Sequence, residues 1–333
     1  MGATKYDVVG IGNAIVDILA KVDDAFLTDH DLTKGAMMLV DADRALELSG
    51  KLTDSQVRSG GSAGNTIAGL QALGASTAFF GKLADDDMGD RYHADMTSLG
   101  VHFPATKRAE STPTAQSIIV IAPDGERTMN TYLGACTEIG PEDIDEDVVK
   151  ASSIVYFEGY LWDPPMAKDA LRHAAEIAHA QGNKVSITLS DAFCVDRYRD
   201  EFLELIKDGT VDLLFANEQE LLSLYEMDDF DAAIEKIAAD CPLAAVTRSE
   251  KGAVIVRGDE RVLCDPYPVS EVIDTTGAGD MFAAGFLYGY SQGWSLHDCG
   301  RLGCLLASNI IQVVGPRLEQ DLKEIAREAG FGV

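Results

Sequence analysis

EVIDTTGAGDMFAAGFLYGY, residues 271–290, combines a glycine-rich turn, one carboxylate and the pattern of an apolar helix. Gly277 and Gly279 flank Ala278, so successive main-chain amides can point at one spot without obstruction by bulky side chains. A helix that begins here adds the positive end of its dipole, which predicts an anion hole made from these three amides. Asp280 follows directly, in the first turn of the predicted helix, and therefore lies beside that hole.

The combination of an anion hole and a carboxylate is typical of phosphoryl transfer to an alcohol. Asp280 can act as a general base that accepts the proton of an incoming hydroxyl, while the amides stabilise charge on the transferring phosphoryl group. The reaction then depends mainly on correct positioning. The alternative is an ordinary glycine turn with an acidic residue at the helix start. The DTT segment before the turn and the apolar helix after it favour the anion hole.

Strand and helix patterns alternate along most of the 333 residues. Apolar segments such as 152–160 and 184–190 predict strands, and the segments that follow each of them, 166–182 and 199–209, have helical spacing. Strands that alternate with helices of ten or more residues predict an α/β fold, with a mainly parallel sheet covered on both faces.

Two segments interrupt this alternation and predict a small separate β-sheet. Residues 17–41 and 112–135 carry alternating apolar residues, and APDGER within the second has the composition of a hairpin turn. We therefore expect a small β lid formed by residues 16–42 and 111–136. The predicted large α/β domain, which binds substrate and nucleotide, consists of residues 1–15, 43–110 and 137–333.

Four motifs resemble those of one family, the PfkB or ribokinase-like carbohydrate and nucleoside kinases. DTTGAGD (274–280) resembles the family signature, and SGGSAGNTIAGLQALG (59–74) resembles its glycine-containing substrate loop and the following helix. ANEQE (216–220) is similar to its NxxE motif, and VTRSEKGA (246–253) to the strand and loop that cover the nucleotide phosphates. The resemblance implies a ribokinase-like three-layer α/β/α sandwich with a small β-sheet lid. It also implies a phosphotransferase with an alcohol group as acceptor.

Within that family the likeness is closest to the adenosine kinases. GIGNAIVDI (10–18) resembles their opening strand, RTMNTYLGAC (127–136) their lid segment, and FEGYLWDPP (157–165) the place of an aromatic residue against the base. The likeness implies that a carboxylate and an amide hold the ribose hydroxyls, and that apolar side chains enclose the base. The substrate-binding residues that it implies are Asn13, Asp17, Gly60, Gly61, Ser62, Asn65, Arg127, Leu133, Ala135 and Tyr160.

Several of these residues also have an ordinary structural explanation, which the sequence leaves open. Asp17 can be a turn carboxylate late in an apolar strand. Asn65 can simply cap the helix that follows the glycine loop. Leu133 and Tyr160 can be core residues with no ligand contact.

The resemblance further implies ATP as the phosphoryl donor, with Mg²⁺. Asn217 and Glu220 suit magnesium held through water, since Mg²⁺ prefers oxygen ligands and keeps several waters. Alternatively, the pair is an N-cap and its capping-box glutamate. A monovalent cation such as K⁺ is implied beside the anion hole, at Asp274 and Thr276. The ATP-binding residues implied are Asn217, Thr247, Arg248, Gly252, Gly277, Gly279, Ala307 and Asn309.

The chain is strongly acidic, with 27 Lys and Arg against 55 Asp and Glu and a net charge of −28. Such a surface repels phosphate backbones and anionic lipids, so we expect neither nucleic acid nor membrane as a partner. A triphosphate needs local compensation of its charge, which the anion hole, magnesium, Arg248 and Lys251 can supply.

Six scattered cysteines without a CxxC pair predict reduced thiols, and the first ten residues lack a signal-peptide pattern. The sequence contains no stretch of about 18 apolar residues, so it predicts no membrane helix. We therefore expect a cytoplasmic protein. An exposed lid sheet is compatible with a monomer and with a homodimer.

The sequence thus predicts transfer of the γ-phosphoryl group of ATP to the 5′-hydroxyl of a nucleoside, most readily adenosine, to give AMP. Two alternatives stay open: a PfkB-type sugar kinase with a ribose- or fructose-like acceptor, and a non-catalytic nucleoside-binding protein of the same fold. A dinucleotide-binding enzyme is disfavoured, because the third glycine of a GxGxxG motif would fall on Ile15.

Overall fold

The computed structural model describes residues 5–104 and 109–333. Residues 1–4 and 105–108, which belong to the predicted large domain, lie outside the described residues. The strands are β1 (Tyr6–Ile11), β2 (Ile15–Lys21), β3 (Met37–Leu39), β4 (Gln56–Ser59), β5 (Thr77–Phe80), β6 (Ala115–Ile121), β7 (Arg127–Tyr132), β8 (Ser152–Glu158), β9 (Lys184–Thr188), β10 (Leu213–Asn217), β11 (Ala244–Thr247), β12 (Ala253–Arg257) and β13 (Glu260–Cys264). The helices are α1 (Asp24–Asp29), α2 (Ala42–Lys51), α3 (Ser62–Leu73), α4 (Asp87–Ser98), α5 (Glu146–Lys150), α6 (Pro165–Gln181), α7 (Ala192–Lys207), α8 (Glu218–Tyr225), α9 (Phe230–Asp240), α10 (Ala278–Ser291), α11 (Leu296–Ile310) and α12 (Leu322–Glu328).

The larger of two sheets has the strand order β13-β12-β11-β10-β9-β8-β1-β5. Neighbours from β5 to β11 pair in parallel, and β12 and β13 add an antiparallel edge. The mainly parallel sheet is therefore confirmed. Every residue of β5 is buried, as expected for a strand in a sheet covered on both faces.

Helices cover both faces of this sheet, which confirms the predicted three layers. One face packs against α5 to α9, in a core that contains Trp162 and Phe202. The other packs against α3, α4 and α10 to α12, in a core that contains Phe79, Phe282 and Phe286. Among the residues described, no helix has both the length and the apolar character needed to cross a bilayer.

The smaller sheet, called the lid sheet below, has the strand order β3-β7-β6-β2-β4. One of its faces is covered by α1 and α2, where Leu48 packs with Ile118 and Val120. The predicted turn APDGER joins β6 to β7 as an antiparallel hairpin, in which the Ala122 amide donates to the Glu126 carbonyl at 2.9 Å.

Residues 43–59 lie with the lid sheet, whereas the sequence placed them in the large domain. The strand β4 pairs antiparallel with β2 and sets Arg58 opposite Asp17. The helix α2 packs on the lid sheet as well. The sequence QVRS of β4 lacks the alternating apolar residues that indicate a strand, so only tertiary pairing identifies it. The division of the remaining chain into two domains stays a prediction.

Aspartate side chains begin many of the helices. Each accepts a hydrogen bond from a main-chain N–H of the first turn and places negative charge at the positive end of the helix. Part of the acidity of the chain therefore stabilises helix starts. The aspartates in this position are Asp23, Asp41, Asp86, Asp145, Asp191, Asp229 and Asp321.

Candidate active site

The predicted anion hole lies at the start of α10. Gly277 has a positive φ of 79°, and a Cβ atom there would lie 2.8 Å from the Cα atom of Pro316, so glycine is required. The Ala278 amide donates to the Thr275 carbonyl at 3.2 Å and is thus engaged within the turn. The Gly279 amide belongs to the first helical turn, whose N–H groups have no partner within an α-helix. Gly277 and Gly279 are therefore better candidates for the hole than Ala278.

Two side chains that were predicted to bind substrate hydrogen-bond the carboxylate of Asp280. Ser62 Oγ donates to Oδ1 at 2.7 Å, and Asn65 Nδ2 donates to Oδ2 at 3.0 Å. Burial raises the pKa of Asp280 to about 6, although these hydrogen bonds and the charge of Arg317 lower it. A carboxyl with this pKa is mostly ionised at neutral pH and can still take up a proton, as a general base requires.

The loop before α3 approaches the lid sheet closely because it carries two glycines. Gly61 has a φ of 85°, and a Cβ atom there would lie 2.1 Å from the Asn13 carbonyl oxygen. A Cβ atom on Gly60 would lie 2.4 Å from Oδ2 of Asp17. The Tyr92 hydroxyl donates to the Gly60 carbonyl at 3.1 Å and holds the loop from the other side. The start of α3 and the strand β2 can therefore meet at the site.

Asp17 lies inside β2 and is only 8% exposed, so the alternative of a turn carboxylate is wrong. No described residue donates a hydrogen bond to its carboxylate. Burial raises the pKa of Asp17 to about 7, while the charges of Arg127 and Arg317 lower it. Because a buried carboxylate without donors is costly, Asp17 is a strong candidate to accept hydrogen bonds from a ligand.

A cross-strand row leads from Asp17 across one face of the lid sheet to a cavity. Asp17 pairs with Ser117, Ser117 with Thr131, and Thr131 with Leu39. Residues paired in this way point to the same face of a sheet. The hydroxyls of Ser117 and Thr131 share a hydrogen bond of 2.9 Å. The cavity, of about 210 Å³, is lined by residues that include Leu39, Thr131 and Leu133.

The structure separates two predicted base contacts from this cavity. Ala135 is 0% exposed and packs in a small cluster of alanines, so it is a core residue. Tyr160 is held at the loop after β9, where its amide donates to Ser190 Oγ at 3.2 Å and its hydroxyl donates to the Ser190 carbonyl at 3.4 Å. The predicted contact Leu133 lines the cavity, as does its neighbour Gly134 in the same predicted lid segment.

An ion pair connects the lid sheet to the anion-hole loop. Arg127 on β7 contacts the carboxylate of Asp274, which also accepts hydrogen bonds from the amides of Thr276 at 3.0 Å and Gly315 at 2.8 Å. Each oxygen of Asp274 thus accepts an N–H group from the loops around the anion hole, and the monovalent-cation site at Asp274 and Thr276 stays a prediction. Two further nitrogens of Arg127, Nε and Nη2, are buried without a hydrogen-bond partner among the described residues.

The predicted magnesium pair forms a capping box at the start of α8. The main-chain and side-chain nitrogens of Asn217 donate to the carboxylate of Glu220 at 2.9 and 2.6 Å, and the Glu220 amide donates back to Asn217 Oδ1 at 2.8 Å. Within the described ranges, no group of three His, Cys, Asp or Glu could hold a metal ion. The capping-box alternative is therefore present, and the oxygens of Glu220 could still accept hydrogen bonds from water of a magnesium ion, which stays a prediction.

Arg248 contacts neighbouring side chains on the predicted nucleotide side. Its Nε and Nη2 donate to the carboxylate of Glu218 at 3.1 and 3.3 Å, and its guanidinium lies 3.8 Å from the ring centroid of Phe230. Arg127, by contrast, contacts Asp274 of the anion-hole loop.

The other predicted nucleotide contacts lie on neighbouring elements. Thr247 ends β11, and Gly252 precedes β12. Ala307 and Asn309 are partly exposed on α11, where Asn309 Nδ2 donates to the carbonyl of Leu305 at 2.8 Å. Contact of these residues with ATP stays a prediction.

The sequence profile of the pfkB family carbohydrate kinases matches residues 30–322. The chain belongs to the PfkB family. It is therefore a phosphotransferase that acts on a hydroxyl group, and the alternative of a non-catalytic binding protein is set aside. Its fold is the ribokinase-like fold that the motifs predicted.

Individual relatives of this PfkB kinase carry two kinds of name. The crystal structure of adenosine kinase from Sinorhizobium meliloti is 56% identical with a TM-score of 0.92, and the match covers 98% of this chain and 100% of that chain. A probable sugar kinase from Rhizobium etli CFN 42 is 55% identical with a TM-score of 0.92, covering 98% and 99%. The adenosine kinase of Saccharomyces cerevisiae is 26% identical over 330 residues, covering 92% of this chain and 95% of the yeast enzyme.

The PfkB kinase is thus a nucleoside or sugar kinase, and kinases of this family use ATP, typically with Mg²⁺. Sequence reasoning missed two charged residues of its site. The first is Glu158 at the end of β8, which is 1% exposed. It accepts hydrogen bonds from the main-chain and side-chain nitrogens of Asn13 at 2.9 and 2.6 Å, and from the Ala63 amide at 2.7 Å. A single acid at the end of an apolar strand was the available signal.

The second missed residue of the PfkB kinase is Arg317, in the loop before α12. Its Nε donates to Asn65 Oδ1 at 3.2 Å, and its Nη1 donates to Asp95 Oδ2 at 2.8 Å. Arg317 is 252 positions away from Asn65 in the sequence, so no local pattern could indicate this contact.

Proposed function

We propose that this kinase transfers the γ-phosphoryl group of ATP to the 5′-hydroxyl of a nucleoside, most readily adenosine, to give AMP. The observation that carries the proposal is the row from Asp17 to Leu39. It joins a carboxylate that lacks donors within the described chain to a cavity lined by leucine and threonine side chains. The similarity to the Sinorhizobium meliloti adenosine kinase supports the same acceptor.

The length of the row suits a sugar joined to a flat base. Adjacent strands lie about 4.8 Å apart, so Thr131 lies about 10 Å and Leu39 about 14 Å from Asp17. Asp17 accepts hydrogen bonds from the vicinal hydroxyls of the ribose, and the base extends over Ser117 and Thr131 to the cavity. A free sugar bound at Asp17 leaves the cavity empty, so it lacks the binding energy that the contacts between base and cavity provide.

In the proposed reaction, Asp280 accepts the proton of the 5′-hydroxyl. Ser62 and Asn65 fix its carboxylate so that one lone pair faces the acceptor oxygen. The amides of Gly277 and Gly279 stabilise the charge on the transferring phosphoryl group. Glu220 and Asn217 would hold water of a magnesium ion, which would neutralise charge on the phosphates.

Arg127 supplies a second source of positive charge from the lid side. Its two unpartnered nitrogens, Nε and Nη2, are buried beside the anion-hole loop and can donate to the transferring phosphoryl group. Because these donors come from β7, the lid sheet contributes to catalysis as well as excluding water from the reaction.

A panel of acceptors with labelled ATP tests this proposal. We expect adenosine to be phosphorylated with a kcat/KM at least about 10²-fold above that of ribose or fructose 6-phosphate, because only adenosine fills the cavity. Leu39→Asp should reduce kcat/KM for adenosine and leave that for ribose unchanged. Leu46→Asp, an exposed position on α2 of the same lid, is the matched control. Preference for a phosphorylated sugar would contradict the nucleoside assignment.

A PfkB-type sugar kinase is the second candidate function. The observation in its favour is the similarity to the probable sugar kinase of Rhizobium etli. In that case ribose or a fructose-like sugar gives the highest kcat/KM in the same panel, and Leu39→Asp does not change the kcat/KM for that sugar.

A further inference from the structure

Arg317 plays no part in the mechanism above, yet it connects separate segments of the chain at the catalytic carboxylate. Its Nη1 donates to Asp95 on α4, and its Nε donates to Oδ1 of Asn65 on α3. Asn65 in turn donates from Nδ2 to Asp280 on α10. A continuous chain of hydrogen bonds therefore leads from a partly exposed aspartate to the reacting group.

We propose that Arg317 is a positioning residue, which keeps the Asn65 amide facing Asp280 as a hydrogen-bond donor throughout the reaction. This inference rests on the proposed role of Asp280 as the general base.

The argument starts from the two ends of the Asn65 side chain. An amide has one acceptor end and one donor end, and a turn of 180° exchanges them. An arginine can only donate, so Oδ1 of Asn65 must face Arg317 and Nδ2 must face Asp280. Asn65 is 4% exposed, so no bulk water can replace either partner.

The orientation matters once Asp280 has taken the proton of the acceptor. An Asn65 side chain that was free to turn could then present Oδ1 and accept a hydrogen bond from the protonated carboxyl. Such a bond would stabilise the protonated form of Asp280. Arg317 prevents the turn, because the turned amide would set an N–H group against the guanidinium. Asp280 therefore keeps its preference for the ionised form and releases the proton for the next cycle.

Asp95 fixes Arg317 in turn. The planar guanidinium donates in two directions at once, from Nε to Asn65 and from Nη1 to Asp95, and Nη2 lies 3.5 Å from Sδ of Met96. A lysine at this position carries the same charge but cannot satisfy both acceptors with one fixed geometry. The substitution Arg317→Lys therefore separates the effect of the guanidinium geometry from the effect of its charge.

The other titratable groups that act on Asp280 within the described part of the chain are acids. Arg317 is the cation whose charge lowers the pKa of Asp280, so its removal should raise that pKa. The acids whose charges interact with that of Asp280 are Asp17 on β2, Tyr156 and Glu158 on β8, and Tyr160 in the turn after β8.

The experiment measures kcat/KM against pH, with the acceptor that the wild type uses best. A base is active when it is ionised, so activity falls on the acid side. In Arg317→Met this acid limb should move up by about 0.5 to 1 pH unit. Activity then falls about 3- to 10-fold at about pH 5, about 2- to 5-fold at about pH 6, and hardly at all at about pH 9. Arg317→Lys should recover part of the shift, and Asp95→Asn should show a smaller shift in the same direction.

The control is Arg261→Met, which removes the same charge from the edge strand β13, where Arg261 pairs with Glu235. Its acid limb should stay in place. An equal loss of activity in Arg317→Met at every pH, or an acid limb at the wild-type position, would overturn the proposal. Thermal unfolding of each variant, compared with that of the wild type, checks that it is folded.

Failure of the proposed function gives a different result. If Asp280→Asn retains wild-type turnover, the general-base role is wrong, whatever Arg317 does. If no acceptor in the panel is turned over, a carboxyl ¹³C NMR titration of Asp280, assigned with Asp280→Asn, replaces the pH profile. The pKa of Asp280 should be higher in Arg317→Met than in the wild type, and equal values would overturn the inference.

Discussion

The proposed acceptor side and the proposed nucleotide side of the site use their charged side chains in opposite ways. On the acceptor side, Asp17 is buried and receives no hydrogen bond from any described residue. On the nucleotide side, Arg248 is paired with Glu218, and Asn217 is paired with Glu220. We infer that the acceptor is recognised by side chains that lack partners, whereas the phosphates of ATP are recognised mainly by main-chain amides. Substitutions should therefore have much larger effects on the acceptor side.

The largest effect is expected for Asp280→Asn. Loss of the general base should lower kcat at least about 10²-fold while both ligands still bind, because the amide keeps the shape of the side chain. Steady-state kinetics measure kcat, and calorimetry measures the binding of each ligand. Asp298→Asn is the matched control, since Asp298 lies in the first turn of α11 as Asp280 does in α10. A kcat close to that of the wild type would remove Asp280 from this role.

The next effect in size is expected for Asp17→Asn. An amide replaces one acceptor oxygen by a donor, so a pair of ligand hydroxyls loses a charge-assisted hydrogen bond. This loss corresponds to a weakening of acceptor binding by about 10- to 10²-fold. The KM of the acceptor should rise by this factor, and the KM of ATP should change little. Asp43→Asn, on the exposed surface of α2, controls for the loss of charge on the lid. An unchanged acceptor KM would show that Asp17 is only a structural residue.

The smallest effect is expected for Arg248→Met. Because Arg248 pairs with Glu218 and stacks on Phe230, its removal should change the KM of ATP less than about threefold. Its measurable effect should be a loss of about 1 kcal/mol in the free energy of unfolding, from the lost ion pair and ring contact. Denaturant titration gives this value. A tenfold or larger rise in the KM of ATP would instead show that Arg248 leaves Glu218 to bind phosphate, and would end the contrast between the two sides.

The sequence predicted the fold and the family because each of its four motifs is continuous in the chain. A turn such as DTTGAGD contains all of its own glycines and its carboxylate, so local geometry can be derived from it. The lid boundary at residue 43 differed from the structure for the opposite reason. The strand β4 has four residues with no apolar alternation, and only its pairing with β2 places it in the lid sheet.

The hydrogen-bond partners within the site were harder to predict than the residues that form it. Ser62 and Asn65 were expected near the ribose, and the structure places both on Asp280. Arg317 gave no local signal, and Glu158 gave only that of a single acid at the end of an apolar strand, because the partners of both lie far away in the sequence. A motif indicates which residues meet at a site, but the direction of each hydrogen bond depends on packing between distant segments.

The aspartates that begin seven of the described helices have a practical consequence for engineering the charge of this kinase. Asparagine caps a helix nearly as well as aspartate, so replacing all seven by asparagine would remove seven negative charges and preserve the hydrogen bonds at the helix starts. Such a variant would repel ATP less at long range, and its association rate with the nucleotide would depend less on ionic strength. Replacement of the same seven residues by alanine would change the charge equally and sacrifice folding stability.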